Sequence, residues 1–215
     1  MTARSDDAAR TRFALTLWDA AGRVRGSAGE YYLAMRGLSL PSAIDGEVAR
    51  FHPACPRQGG AAPALVVLLR TIEGDTPVAV QRIFVTKDYR KDGTPMMLGP
   101  VKGAAIKLSS HRAACTGALS WFMPRLHVCE GFETGLALLQ LGYAPAWALG
   151  SAGAIARLPL LWFVGQLVVC ADNDVSRTGE AAAAAALATW GWRAHALMVN
   201  AVGKDFADLA QQEGL

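Results

Sequence analysis

The sequence predicts an α/β protein, with a mostly parallel sheet and flanking helices over residues 121–215, preceded by an α+β lobe with a β-hairpin over residues 1–120. Two observations carry that expectation. After Arg125, short apolar runs alternate with helical segments, the β-α-β-α pattern of a parallel sheet covered by helices. Between Ala64 and Leu108 helical spacing gives way to two apolar strands flanking a Glu-Gly-Asp turn, which reads as an antiparallel hairpin.

The elements follow in order. Residues 8–18 carry apolar positions at helical spacing, and Ser27-Ala28-Gly29-Glu30 resembles a capping box that opens a second helix, which Gly37 closes. Residues 65–69 and 78–85 form the hairpin strands, residues 87–93 a charged loop, and residues near 104–108 another strand. In the C-terminal half the strands are 126–129, 146–149, 168–171 and 193–199. Between them lie a helix over 132–141 stopped by Gly142, a short helix entered through the turn Ser151-Ala152-Gly153, and an alanine-rich helix over 178–190 ended by Gly191.

Composition bounds the function. A chain of 215 residues with 52% hydrophobic content can bury one sizeable core, or one core and a smaller lobe. The formal charge of +3 restricts any nucleic-acid surface to a local patch. Residues 1–12 lack the apolar stretch of a signal peptide, and no apolar run reaches the roughly 18 to 20 residues of a membrane span. A soluble, cytoplasmic protein without membrane association is expected. The cysteines, at 55, 115, 129 and 170, offer no disulfide framework, and Cys129 and Cys170 read as buried small hydrophobes. His52 with Cys55 and His111 with Cys115 have local zinc-ligand spacing, but most of the hairpin separates the pairs and zinc is not expected.

The chemistry is carried by acids. Glu130 follows Leu126-His127-Val128-Cys129, Asp172 and Asp174 follow Val168-Val169-Cys170-Ala171, and Asp205 follows a third strand-like run. Ligands of open α/β sheets bind beyond the carboxyl ends of the strands, so these carboxylates gather where substrate would meet them. Asp172 and Asp174, two apart, share one side of extended chain. Packed together, such groups repel unless one is protonated or a cation sits between them. Hard oxygen donors favour Mg²⁺ or Mn²⁺ over zinc. A divalent ion of that kind serves phosphoryl chemistry by bridging phosphate oxygens. Two roles are open to Glu130, a further ligand or a general acid/base. The plainer alternative, that residues 172–174 are a polar turn capping the next helix, accounts for one signature but not for three in order.

Residues 125–212 resemble a Toprim domain, the catalytic fold of bacterial-type primases, topoisomerases and some nucleases. The resemblance lies in Glu130-Gly131, Asp172-Asn173-Asp174 and Gly203-Lys204-Asp205. It implies a catalytic set of Glu130, Asp172 and Asp174, with Glu130 handling protons, and a metal site of Glu130, Asp172, Asp174 and Asp205. Upstream, Tyr31-Tyr32-Leu33-Ala34-Met35-Arg36-Gly37-Leu38, Arg50-Phe51-His52-Pro53-Ala54-Cys55 and Leu98-Gly99-Pro100 are similar to the arm preceding Toprim in plasmid and phage primase-helicase proteins. The resemblance therefore implies metal-dependent nucleotidyl transfer in primer synthesis, with single-stranded DNA and nucleotides as partners and a replicative helicase as a further one. It departs from bacterial-type primases in having no Cys-x-x-Cys pair. A Toprim nuclease and a non-catalytic DNA-binding or helicase-docking subunit are the competing readings. For a nucleic-acid backbone or nucleotide phosphates, the expected cations are Arg82, Lys87 and Lys102 of the hairpin region, together with Arg177 and Lys204 beside the acidic motifs. Most tryptophans, Trp162 and Trp190 in particular, are expected in the core.

Overall fold

A computed structural model describes residues 2–109, 123–171, 177–199 and 205–212. The chain divides into two compact units, Met1–Ile106 and Lys107–Leu215. The expected boundary at 120/121 falls outside the described residues.

The first unit is built on an antiparallel sheet of β1 (Ala49–Arg57), β2 (Gly60–Thr71), β3 (Pro77–Phe84), β4 (Met96–Leu98) and β5 (Ala104–Lys107), in which β2 is central. One edge of β2 pairs with β3, while β1 and then β5 pair along the other, β5 through Arg70 and Thr71. The predicted hairpin is β2 and β3. Strand β1 was not foreseen, because Pro53 and Pro56 argue against a strand. The ladder accommodates them at an irregularity between His52 and Cys55, the kind of place where a missing N–H costs no regular bond. Helix α1 (Thr2–Asp19) sets Ala14, Leu17 and Trp18 into one cluster with Ala64, Val66, Leu68 and Val80. Helix α2 (Ala28–Met35) reaches the alternate face, where Gly29 lies against Leu65 and Phe51 so closely that a Cβ would sit 2.7 Å from Leu65 Cδ2. Both faces of β2 are therefore covered, and its apolar run is continuous rather than alternating.

Local signals act much as expected around α2. The Ser27 side chain accepts from the Gly29 N–H, Glu30 accepts from the Gly26 N–H rather than from that of the cap residue, and Gly37 (φ 68°) ends the helix. The closing bonds, Gly37 N–H to Ala34 and Leu38 N–H to Leu33, satisfy carbonyls the helix would leave open.

The second unit is a parallel sheet of β6 (Met123–Cys129), β7 (Ala146–Ala148), β8 (Val164–Ala171) and β9 (Ala194–Met198), ordered β7-β6-β8-β9. Its helices are α3 (Phe132–Gln140), α4 (Ala152–Ala156), α5 (Thr178–Trp190) and α6 (Phe206–Gln212). Helix α3 packs with α6, and α4 with α5. With β7 and β9 on opposite sides of the β6–β8 pair, the right-handed crossover rule assigns α3 and α5 to opposite faces. Gly135 brings α3 down onto the core, since a Cβ there would lie 2.6 Å from Leu108 Cδ1. Trp190 is buried, its indole N–H donating to the Leu158 carbonyl, as a core tryptophan should be. Trp162 corrects the expectation. It is 71% exposed, standing edge-on to Phe163 in the irregular chain before β8.

Candidate active site at the carboxyl edge of the parallel sheet

Strands β6 and β8 are neighbours whose outgoing connections diverge, β6 toward β7 and β8 toward β9. That reversal is a topological switch point, where loops part and leave a crevice above the carboxyl ends. Glu130 is the first residue after β6, and Asp172 the first after β8. Continuing the register Val128↔Val169 sets Glu130 level with Ala171, one residue short of Asp172 on a strand about 4.8 Å away.

Around Glu130 the backbone is fastened and the side chain is not buried. Its carbonyl accepts from the Gly150 N–H at 2.8 Å, and the Cys129 carbonyl accepts from Leu149, extending the ladder toward β7. Gly131 then caps α3 without a side-chain bond. The Glu130 carboxylate is exposed at a rigid strand end, open to a ligand. Beneath it lies His127, buried in β6, its Nδ1 at 3.2 Å from the Pro145 carbonyl and its ring 5.5 Å from that of Tyr143. Donation to that carbonyl places the proton of the neutral ring on Nδ1. Burial pushes the His127 pKa down; the bond to Pro145 opposes this and the Arg125 charge reinforces it. The imidazole in β6 is thus biased toward its neutral form.

Asp205 has a defined local role. Its Oδ1 accepts from the Asp208 N–H at 2.8 Å, and Asp208 Oδ2 accepts from the Asp205 N–H at 3.2 Å, a reciprocal cap at the start of α6. The third acidic motif therefore opens a helix. Asp172, Asp174 and Lys204 lie outside the described residues, and among the described residues no group of three or more His, Cys, Asp or Glu could hold a metal ion. The expected donors are all carboxylates, three of them next to or just beyond strand ends, and that chemistry fits a hard divalent cation.

The expected cations fare differently. Arg177 stands before α5 in a left-handed conformation (φ 57°) and forks onto Glu180 at 2.7 and 2.8 Å, each group holding the other more firmly in its charged form. An exposed pair of this kind contributes little and can yield to a phosphate. Lys87 and Lys102 are exposed. Arg82 is a correction: it is only 8% exposed, donates to the Pro56 carbonyl at 2.8 Å and approaches the Phe84 ring, so it ties β3 to β1 and does not face a ligand. Both faces of the sheet are covered there, so a charge that looks external in the sequence is internal. Lys107 is likewise buried, with its Nζ 4.7 Å from the centre of the Trp147 ring. Sequence reasoning gave Tyr31 no role of its own and passed over Tyr89; their exposed rings meet at 5.1 Å, with Tyr89 next in the chain to Lys87, Arg90 and Lys91. The adjoining cations were the one available signal, since residues 31 and 89 are remote in the chain.

A four-stranded parallel sheet of this order, with a glutamate after its first strand and an acidic segment after its third, is matched by family. Residues 125–215 match the Toprim domain, and residues 8–108 match a domain of unknown function, DUF7146. Over its C-terminal part the chain is thus similar to the Toprim domain. Its fold is that of primase catalytic cores: a DNA primase domain from Pseudomonas aeruginosa is similar at 18% identity and a TM-score of 0.64, over 94% of this chain and 74% of that one. The primase fragment of the bacteriophage T7 primase-helicase protein matches at 15% identity and 0.56, over 90% and 76%. A DnaG primase catalytic domain bound to ssDNA matches at 17% and 0.60, over 95% and 79%. No curated protein matches the sequence.

Proposed function

We propose that this protein is a metal-dependent nucleotidyltransferase that synthesises primers on single-stranded DNA in the replication of a plasmid, phage or other mobile element. The observation that carries the reading is the placement of Glu130 and the entry to the Asp172–Asp174 segment on neighbouring strand ends at the switch point, within a primase-core fold.

When bound, Mg²⁺ or Mn²⁺ would offset negative charge that grows in the transition state. Asp172, Asp174 and Asp205 are its proposed ligands. Glu130, on a fastened strand end, takes the proton of the attacking 3′-hydroxyl as the new phosphodiester bond forms and pyrophosphate leaves. Arg177 and Lys204 would hold phosphates beside the carboxylates, with Arg177 exchanging Glu180 for the ligand. Lys87 and Lys102 are proposed contacts to the template backbone, and a replicative helicase is the proposed partner in the cell.

The test mixes the protein with single-stranded DNA, ribo- and deoxynucleotides and Mg²⁺ or Mn²⁺, and resolves labelled products beside Glu130→Gln and Asp172→Asn. New short oligomers that vanish in both variants support primer synthesis. A shortened template would mean that the same carboxylates activate water for phosphodiester cleavage. Unchanged lengths with retained DNA binding would mean a binding subunit.

A further inference from the structure

The second unit is polarised along its strands. Apart from Glu213, every carboxylate from residue 123 onward follows a strand's carboxyl end or lies in the first turn of the helix after it: Glu130, Glu133, Asp172, Asp174, Glu180, Asp205 and Asp208. No Asp or Glu occurs over residues 141–171 or 181–203, the stretches that supply the opposite edge. That edge carries Arg125 near the start of β6, Arg157 at the end of α4 and Arg193 just before β9.

Two large rings project from the same edge. Trp162 is 71% exposed and Trp192 85%. They are held on one platform by Arg193, whose guanidinium donates to the carbonyls of Leu161, Val164 and Gly165 and stacks on Trp190 at 5.3 Å. Arg125 lies beside Gln166 across the β6–β8 ladder.

We propose that this amino-terminal strand edge is a second nucleic-acid contact, in which Trp162 and Trp192 stack bases of a single strand whose phosphates are drawn by Arg125 and Arg157. Aromatic faces serve any base, and the local excess of positive charge selects a polyanion over an apolar protein segment. With eight residues in β8, the platform stands roughly 25 Å from the carboxylate edge. It is separate from the catalytic crevice and holds the strand away from it.

The inference rests on the nucleic-acid reading of the chain only for the identity of the ligand, and its test avoids turnover. Binding of a labelled oligothymidylate is measured by fluorescence anisotropy in EDTA without nucleotides, with tryptophan emission followed in parallel. Trp162→Ala/Trp192→Ala lowers affinity about tenfold or more and removes most of the quenching, while Trp162→Phe/Trp192→Phe keeps binding. Equal binding by the wild type and the double alanine variant, or no binding by the wild type, overturns the proposal. So does a change in sedimentation of the alanine variant with oligonucleotide binding intact, which would make the edge a protein interface. Loss of primer synthesis with intact ring-dependent binding would sink the enzymatic reading alone.

Discussion

His127 lies in β6 and Glu130 just past its end, three residues apart, and their surroundings suit them to different work. Glu130 is exposed and its side chain supports no part of the core, so Glu130→Gln leaves the thermal midpoint nearly unchanged, within about 0.5 kcal/mol of stability. If its carboxylate moves the proton, nucleotidyl transfer falls about 100- to 10,000-fold while Mn²⁺ affinity, read by calorimetry, is retained. Loss of affinity in step with turnover would make Glu130 a ligand instead. His127 is the reverse, buried and structural. Its folded-state pKa lies below the ordinary 6.5 because burial disfavours the charged ring. Below that value the unfolded chain binds a proton that the folded chain resists, so its stabilising contribution is present above pH 6.5 and is lost as pH falls toward the depressed pKa. Denaturant midpoints should therefore drop between pH 7 and pH 5, and His127→Gln, which can still donate to Pro145 but does not titrate, should flatten that drop. The acid's position was legible from an apolar run that stops at a carboxylate. The histidine's role was not, because its partners, Pro145 and Tyr143, come from the chain before the neighbouring strand.

At the level of elements, the third acidic motif, expected to help hold a metal, shapes a helix. Asp205 opens α6, and Asp205→Ala forfeits that cap at a cost of about 0.5–2 kcal/mol. Asparagine caps nearly as well but carries no charge, so Asp205→Asn separates the roles: stability is kept, and activity is lost only if the carboxylate also holds the metal. Steady-state rates beside urea melts of both variants decide it. Gly99 tests the turn after β4 in the same manner. Its φ of 101° is a glycine conformation, and a Cβ would lie 2.7 Å from the Val78 carbonyl oxygen, so Gly99→Ala should destabilise by about 1–3 kcal/mol or more in the same melts. The parallel half was readable because its strands, buried on both faces, appear as continuous apolar runs ending in polar turns. In the antiparallel half, β1 was hidden by two prolines tolerated at a ladder irregularity, and β4 by having only three residues. Arg82 and Trp162 were misread for complementary reasons. Residue type assigned the arginine to the surface and the tryptophan to the core, and only the layers on each side of a strand decide such cases.

Across the whole molecule, a net charge of +3 limits how a polyanion can be held. A uniformly basic binder gathers many phosphates and releases many counterions. Here several of the arginines in described segments are engaged within the chain: Arg50 on the Trp18 and Gly46 carbonyls, Arg82 on the Pro56 carbonyl, and Arg193 on those of Leu161, Val164 and Gly165. The cations proposed to meet phosphate are divided among Lys87 and Lys102 of the first unit, Arg177 and Lys204 near the acidic motifs, and Arg125 and Arg157 at the amino edge of the parallel sheet. Exposed rings accompany two of these groups, Tyr31 with Tyr89 and Trp162 with Trp192. Base stacking is largely insensitive to salt, whereas each phosphate contact on a single strand contributes about −0.7 to the slope of log K against log salt. A footprint of about two to four phosphates therefore predicts a shallow slope, between about −1.4 and −2.8. Removing Trp162 and Trp192 should lower affinity at every salt concentration without changing that slope, whereas Arg157→Ala should reduce it by about 0.7. Anisotropy titrations of single-stranded DNA across a potassium chloride series measure both quantities. A slope steeper than about −5 would show instead that charge over a broad surface holds the strand and that the rings are incidental.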